Sequence, residues 1–171
     1  MRVYLSENAF LDLLLSSAEV YKSECLGYLL GYKLEDRFII EQAFPVQTAN
    51  RKRRGVVYNR KNHKKIEAIL ERFNKLQRIG DFHSHTQFGV MKGLPIPSKE
   101  DIQEMVQGHV YVIVAINNNE KTLSWGEKRD GTISGSVGNF FFKISAHFVN
   151  GDSAVKRAKI HCPFPPGFSA N

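Results

Sequence analysis

No uninterrupted apolar run in this chain approaches the roughly 20 residues that a membrane helix needs, which excludes a helical span as its organising feature. Cysteine is nearly absent. Only Cys25 and Cys162 occur, too few for a disulfide framework, so a reducing compartment is the simpler setting. The stretch nearest to a secretory leader, Ala9 to Ala18, is interrupted by Asp12 and follows Glu7, unlike a charged-then-apolar leader. A soluble, cytoplasmic protein is therefore expected, with no membrane partner. There is no Gly-rich phosphate loop, no internal repeat and no linker that would divide the chain.

What is present suits a single domain: 171 residues, 42% apolar and 24% charged, enough to bury a substantial core. Acidic residues are the minority charge, and the net charge is +7. The excess is concentrated in Arg51, Lys52, Arg53 and Arg54, then in Arg60, Lys61, Lys64 and Lys65. Such blocks can neutralise phosphates. No aromatic residues alternate with them as a single-strand platform requires, so a solvated basic loop and helix face is the better reading and nucleic acid is not the expected partner.

Along the chain, Arg2 to Leu5 reads as a strand and Ser6 as the N-cap of a helix whose Leu11, Leu14, Leu15 and Ala18 recur at helical spacing. Glu24 to Gly31 reads as an apolar strand with a carboxylate at its start, and Arg37 to Phe44 as its hairpin partner. A second helix is expected over roughly Asn59 to Leu76, with Ile66, Ile69, Leu70, Phe73 and Leu76 on one face. Val110 to Ile116, apolar on both faces, marks a central strand, and Thr122 to Glu127 and Asn139 to Val149 read as further strands. The sum is an α+β fold: a mixed, largely antiparallel sheet flanked by helices, with a domain over residues 1–150 and an extended C-terminal tail over 151–171.

The chemistry concentrates between Gly80 and Asp101. His83 and His85 stand two apart, so in a strand both imidazoles project from one face while Phe82 and Ser84 project from the other. Ser98 precedes Lys99, Glu100 and Asp101 as the N-cap of a short helix, with Asp101 at its third position. That carboxylate can cap the helix or turn outward as a third metal ligand. Two imidazoles and one carboxylate would leave a tetrahedral zinc one open position, the arrangement of hydrolytic sites. Such a site still needs a base, and Glu24 is the candidate. Taken singly, a His-x-His pair is more often surface and Ser-x-x-Asp is an ordinary capping box. Cys25, inside an apolar strand, is read as inert, and His161-Cys162 lacks two further ligands.

Together, Glu24 in ECLGYLLG, His83-Ser84-His85 and Ser98-Lys99-Glu100-Asp101 resemble the JAMM (MPN-plus, Mov34/MPN/PAD-1) metalloprotease family in its compact prokaryotic form, over about Met1 to Val149. The resemblance implies a cytidine-deaminase-like α+β fold, zinc held by His83, His85 and Asp101, Glu24 as general base and Ser98 as donor to the developing oxyanion. It implies a peptidase or isopeptidase acting at the C-terminus of a ubiquitin-like protein, with activating or conjugating enzymes of the same pathway as partners. A sulfur-carrier protein is the alternative substrate, and a non-catalytic MPN scaffold the alternative class. One departure stands out: twelve residues, Thr86 to Pro97, separate His85 from Ser98 where the family usually has about seven. The expectation is a movable wall beside the metal, hinged at its glycines and offering Phe88, Val90, Met91 and Leu94 to substrate. Ser84 is expected to serve packing.

Overall fold

The architecture follows from which strands must be covered on both faces. A computed structural model describes residues 1–52, 55–73 and 75–164, excepting the side chains of residues 51 and 52. The chain opens with β1 (Arg2–Leu5) and α1 (Glu7–Glu19), then β2 (Leu26–Lys33) and β3 (Arg37–Pro45), then a small hairpin of β4 (Asn50–Lys52) and β5 (Gly55–Val57). There follow α2 (Arg60–Leu70), β6 (Gln77–Thr86), α3 (Lys99–Glu104), β7 (Val110–Asn118), β8 (Gly126–Glu127), β9 (Ile133–Val137), β10 (Phe140–Val149) and β11 (Val155–His161). Arg53 and Arg54 of the first basic block, and Pro165, Pro166 and Gly167 of the expected tail, lie outside the described residues.

The main sheet runs β11-β1-β3-β2-β6-β7-β10-β9-β8, and β11 also pairs with β10. That extra pairing closes it. One edge of β10 is shared: Phe140 to Ile144 pair with β9, while Ala146 to Val149 pair with β11. The result is α+β, dominated by a mixed and mainly antiparallel sheet; β1–β3, β1–β11 and β6–β7 are its parallel pairs. Among the described residues no helix is long and apolar enough to cross a membrane.

The C-terminal boundary expected at residue 150 is corrected by this closure. Val155–His161 is not a tail, because Lys159 and Ile160 pair with Arg2 and Val3 while Ala158 and Ile160 are buried in the main core. Two other expectations shorten. The second helix stops at Leu70 rather than Leu76, since β6 begins at Gln77 and the chain needs the intervening residues to turn back onto the sheet. Within Thr122 to Glu127 only Gly126–Glu127 pairs as a strand. Trp125 instead packs edge-on to Phe10 at 5.0 Å.

α1 begins where Ser6 Oγ accepts the Ala9 N–H, and it presses Ala9, Phe10, Leu13 and Leu14 into the main core. α2 has no buried residue. It lies with β5 over a smaller cluster of Leu26, Tyr28, Leu30, Val46 and Ala49. β2 therefore supplies both cores by alternation: Leu29 to the first, Tyr28 and Leu30 to the second.

Candidate metal centre

β6 carries Asp81, His83 and His85 on the face opposite to Phe82 and Ser84, as the spacing requires. Phe82 and Ser84 are fully buried. Ser84 does more than pack. Its Oγ accepts the Cys25 N–H at 2.9 Å and its own N–H donates to the Cys25 carbonyl at 3.1 Å, so the residue between the two histidines fastens the segment that carries Glu24. Leu26, the next residue, pairs with His83 in the sheet.

α3 brings the third candidate ligand. Ser98 Oγ accepts the Asp101 N–H at 3.0 Å and Asp101 Oδ2 accepts the Ser98 N–H at 2.6 Å, a closed capping box. The capping carboxylate also faces the histidines. Asp101 Oδ1 lies 3.4 Å from His83 Nε2, Asp101 Oδ2 lies 3.6 Å from His85 Nε2, and the two Nε2 atoms are 3.0 Å apart. Of the two uses of Asp101 that the sequence leaves open, the cap is made, and the carboxylate also stands where a third ligand would be needed. His85 Nδ1 donates to the Leu94 carbonyl at 2.8 Å, so neutral His85 presents a lone pair at Nε2.

Four ligands about 2.1 Å from a zinc ion at tetrahedral angles stand about 3.4 Å from one another. The nearest approaches, 3.0 to 3.6 Å with either Asp101 oxygen counted, lie around that value, and the donor set of two imidazoles and a carboxylate suits zinc. The fit is good.

These atoms open onto a cleft of about 410 Å³ lined also by Glu24, Leu26, Asn50, Gly55, Val56, Val57, Ser98, Glu100 and Glu104. Burial raises the Glu24 pKa above the usual carboxylate range, only partly offset by His85 and His83. Burial also works against the Asp101 carboxylate, yet its contacts with His83 and His85 outweigh this and hold its pKa far below the ordinary range. His85 loses some basicity to burial but gains more from Asp101 and the Leu94 carbonyl, so its pKa is raised.

The model of the family described as prokaryotic homologs of the JAB domain matches residues 6–127. The chain belongs to that family. Glu24, His83, His85, Ser98 and Asp101 all fall within the matched part of this JAB domain. Its fold is shared by the solution structure of protein DSY2949 from Desulfitobacterium hafniense, with a TM-score of 0.64 at 16% identity over 94% of this chain and 92% of the other. No curated protein matches it.

The connection from Thr86 to Pro97 differs from the expected hinged wall. None of its residues lines the cleft. Phe88 and Met91 close a tight turn around Gly89, at φ +55°, and Val90, 97% exposed. Beyond it, Gly93 approaches β6 so closely that a Cβ would stand 2.2 Å from the His85 carbonyl oxygen. This half of the connection is fixed. The remaining candidates resolve as structure: His161 pairs with Glu127 and stacks on Tyr4, and Cys162 is buried with its thiol pushed up to about 11. Ser84 and the Leu94 carbonyl are the site groups that sequence reading missed. Neither carries a type or spacing that announces them.

Proposed function

We propose that this JAB domain is a zinc-dependent peptidase or isopeptidase that hydrolyses an amide bond at the C-terminus of a ubiquitin-like protein. The observation that carries the reading is the triangle of His83, His85 and Asp101 ligand atoms, all within 4.8 Å of one another, beside a half-buried Glu24 in one cleft. Zinc held by these three residues would supply Lewis acidity, polarising a carbonyl and acidifying a water. Glu24 takes the proton of the attacking water and delivers it to the leaving amine, a task that its raised pKa favours. Ser98 Oγ accepts the Asp101 N–H, and its own proton has no acceptor among the described residues. That hydroxyl is free to donate to the carbonyl oxygen as it becomes negative, an interaction worth about 3 kcal/mol in comparable sites. The cleft, walled by Gly55 to Val57 of β5, suits an extended chain end, and the family resemblance supplies the ubiquitin-like substrate.

The test combines metal analysis with cleavage of ubiquitin-like and sulfur-carrier proteins joined through their C-termini to a reporter, by linear or by lysine isopeptide bonds. About one zinc per chain is expected, lost in His83→Ala and in His85→Ala. Glu24→Gln should keep the zinc and lose roughly two or more orders of magnitude in turnover. Zinc retained in both histidine variants would assign the metal elsewhere. Loaded protein that cleaves no member of the panel would favour a scaffold.

A further inference from the structure

Three buried polar side chains near the triangle take no part in the reaction just described. Asn117 on β7 is 4% exposed, and Ser145 and His147 on β10 are 0% and 4% exposed. Burying such groups is costly unless they are hydrogen-bonded; Asn117 and Ser145 spend their bonds on one short stretch of backbone, and His147 braces Ser145. Asn117 Oδ1 accepts the Gly93 N–H at 2.8 Å while its Nδ2 donates to the Gly93 carbonyl at 3.1 Å. Ser145 Oγ donates to the Pro95 carbonyl at 2.8 Å. With that proton committed, Ser145 Oγ can only accept from His147 Nε2, 2.9 Å away. Between the two anchors lies Leu94, whose carbonyl receives the His85 Nδ1 proton.

The anchoring has a chemical consequence. Neutral imidazole carries one proton, and at His85 that proton can sit on Nδ1 or on Nε2. On Nε2 it would point at Asp101 and His83, and the ligand lone pair would be gone. A fixed carbonyl at Nδ1 selects the other tautomer. Leu94 lies in a connection without regular secondary structure, so its carbonyl is fixed only as well as its neighbours are.

Resting on the triangle as a metal site, we propose that Asn117, Ser145 and His147 are positioning residues of that site. They act through the Gly93-to-Pro95 backbone to hold the Leu94 carbonyl on His85 Nδ1 and keep His85 Nε2 a free ligand. The requirement explains why this family member invests three core positions on two strands in a surface connection. It also explains why Gly93 has no side chain: the segment must lie against β6.

Two measurements test it. Competition against a chelator gives the Zn²⁺ affinity, which should fall about 10- to 100-fold in Asn117→Ala and in Ser145→Ala, with much of the loss restored in Ser145→Thr, which keeps the hydroxyl. Long-range ¹⁵N–¹H NMR of the metal-free protein at pH 9 reads the tautomer directly: Nδ1–H at His85 in the wild type, mixed or Nε2–H in the two alanine variants. Ser17→Ala is the control, equally buried with its hydroxyl on the Leu13 carbonyl; it should lower stability and move neither readout. If Asn117→Ala does not fold, Ser145→Ala, which removes one oxygen atom, carries the test. Variants that lose stability as Ser17→Ala does, while keeping tautomer and affinity, would overturn the proposal. A tautomer that shifts in a protein whose wild type binds no Zn²⁺ would sink the metal reading alone.

Discussion

The two faces of β2 and β6 are built by alternating residues of the same strands, yet they have opposite characters. Inward, Leu29 and Phe82 join a dry core into which α1 presses Phe10 and Leu13. Outward, Tyr28, Asp81, His83 and His85 meet a polar and aromatic assembly. There Tyr28 and Tyr58 stack at 5.0 Å, Arg78 grips Asp81 through Nη2 at 2.9 Å and Glu67 through Nη1 at 2.6 Å, and α2 covers them without burying a residue. One face holds the fold and the other carries the candidate site. Period-two alternation lets the second be polar at no cost to the first.

The sharpest way to break the contrast is to hollow the inner face. Phe10→Ala should cost about 3–5 kcal/mol, read by chemical denaturation, because a buried ring packed on Trp125 leaves a cavity that its neighbours cannot fill. A loss below about 1 kcal/mol would mean that α1 is as peripheral as α2.

Acid should act on the outer face, since among the described residues His147 is the one buried histidine or carboxylate and it alternates with Ala146, which faces the inner core. Burial, aided by Arg157, depresses the His147 pKa to about 4 from an ordinary 6.5. Between these values the unfolded chain binds the proton and the folded one does not. The contribution is therefore complete above about pH 6.5 and is lost as pH falls toward 4, on the order of 3 kcal/mol. His147→Gln should flatten that part of the stability profile relative to wild type. Parallel profiles for the two proteins would refute the assignment.

The smallest effect belongs to the outer assembly. Tyr58→Phe removes a hydroxyl that donates to Asp81 at 2.8 Å, but Arg78 keeps that carboxylate satisfied, so about 1–2 kcal/mol should be lost. Hydrogen exchange would show where. Amides of α2 should exchange faster while those of β6 stay as protected as before; equal acceleration in both would make the two faces one cooperative unit.

How much of this was legible in the sequence depended on distance along the chain. The ligand strand, the Ser98 cap and the Ser6 start of α1 are local patterns, and each fell where spacing put it; the buried face of α1 did not, since Leu11 and Leu15 of the expected stripe are exposed and Ala9, Phe10 and Leu13 are buried beside Leu14 instead. β11 was missed because VKRAKIH offers only Ala158 and Ile160 at alternate buried positions among cations, and its partners are β1 and half an edge of β10. The apolar stripe of α2 overran its end because Leu76 belongs to the same small core as Ile66 and Leu70, reached from the strand side. The fixed half of the Thr86-to-Pro97 connection was invisible for a related reason. Its anchors, Asn117 and Ser145, belong to strands that follow it in the chain, and an asparagine or serine in an apolar strand names no partner.

Closure of the sheet by β11 sets the order in which the molecule can be made. During synthesis β1 emerges first, but its partnership of Arg2 with Lys159 waits until nearly all the described chain has left the ribosome. Until then one edge of β1 and half an edge of β10 stay open to wrong partners, the exposure that slows folding and invites aggregation in sheets of non-local pairing. The Glu24 segment, His83 and Asp101 can meet earlier, since β2, β6 and α3 are all made before β7, β10 and β11. The nascent chain can therefore bring its candidate ligands together before its barrel is sealed, and a cation captured there, as the proposed function has it, would bias the remaining strands toward the native register.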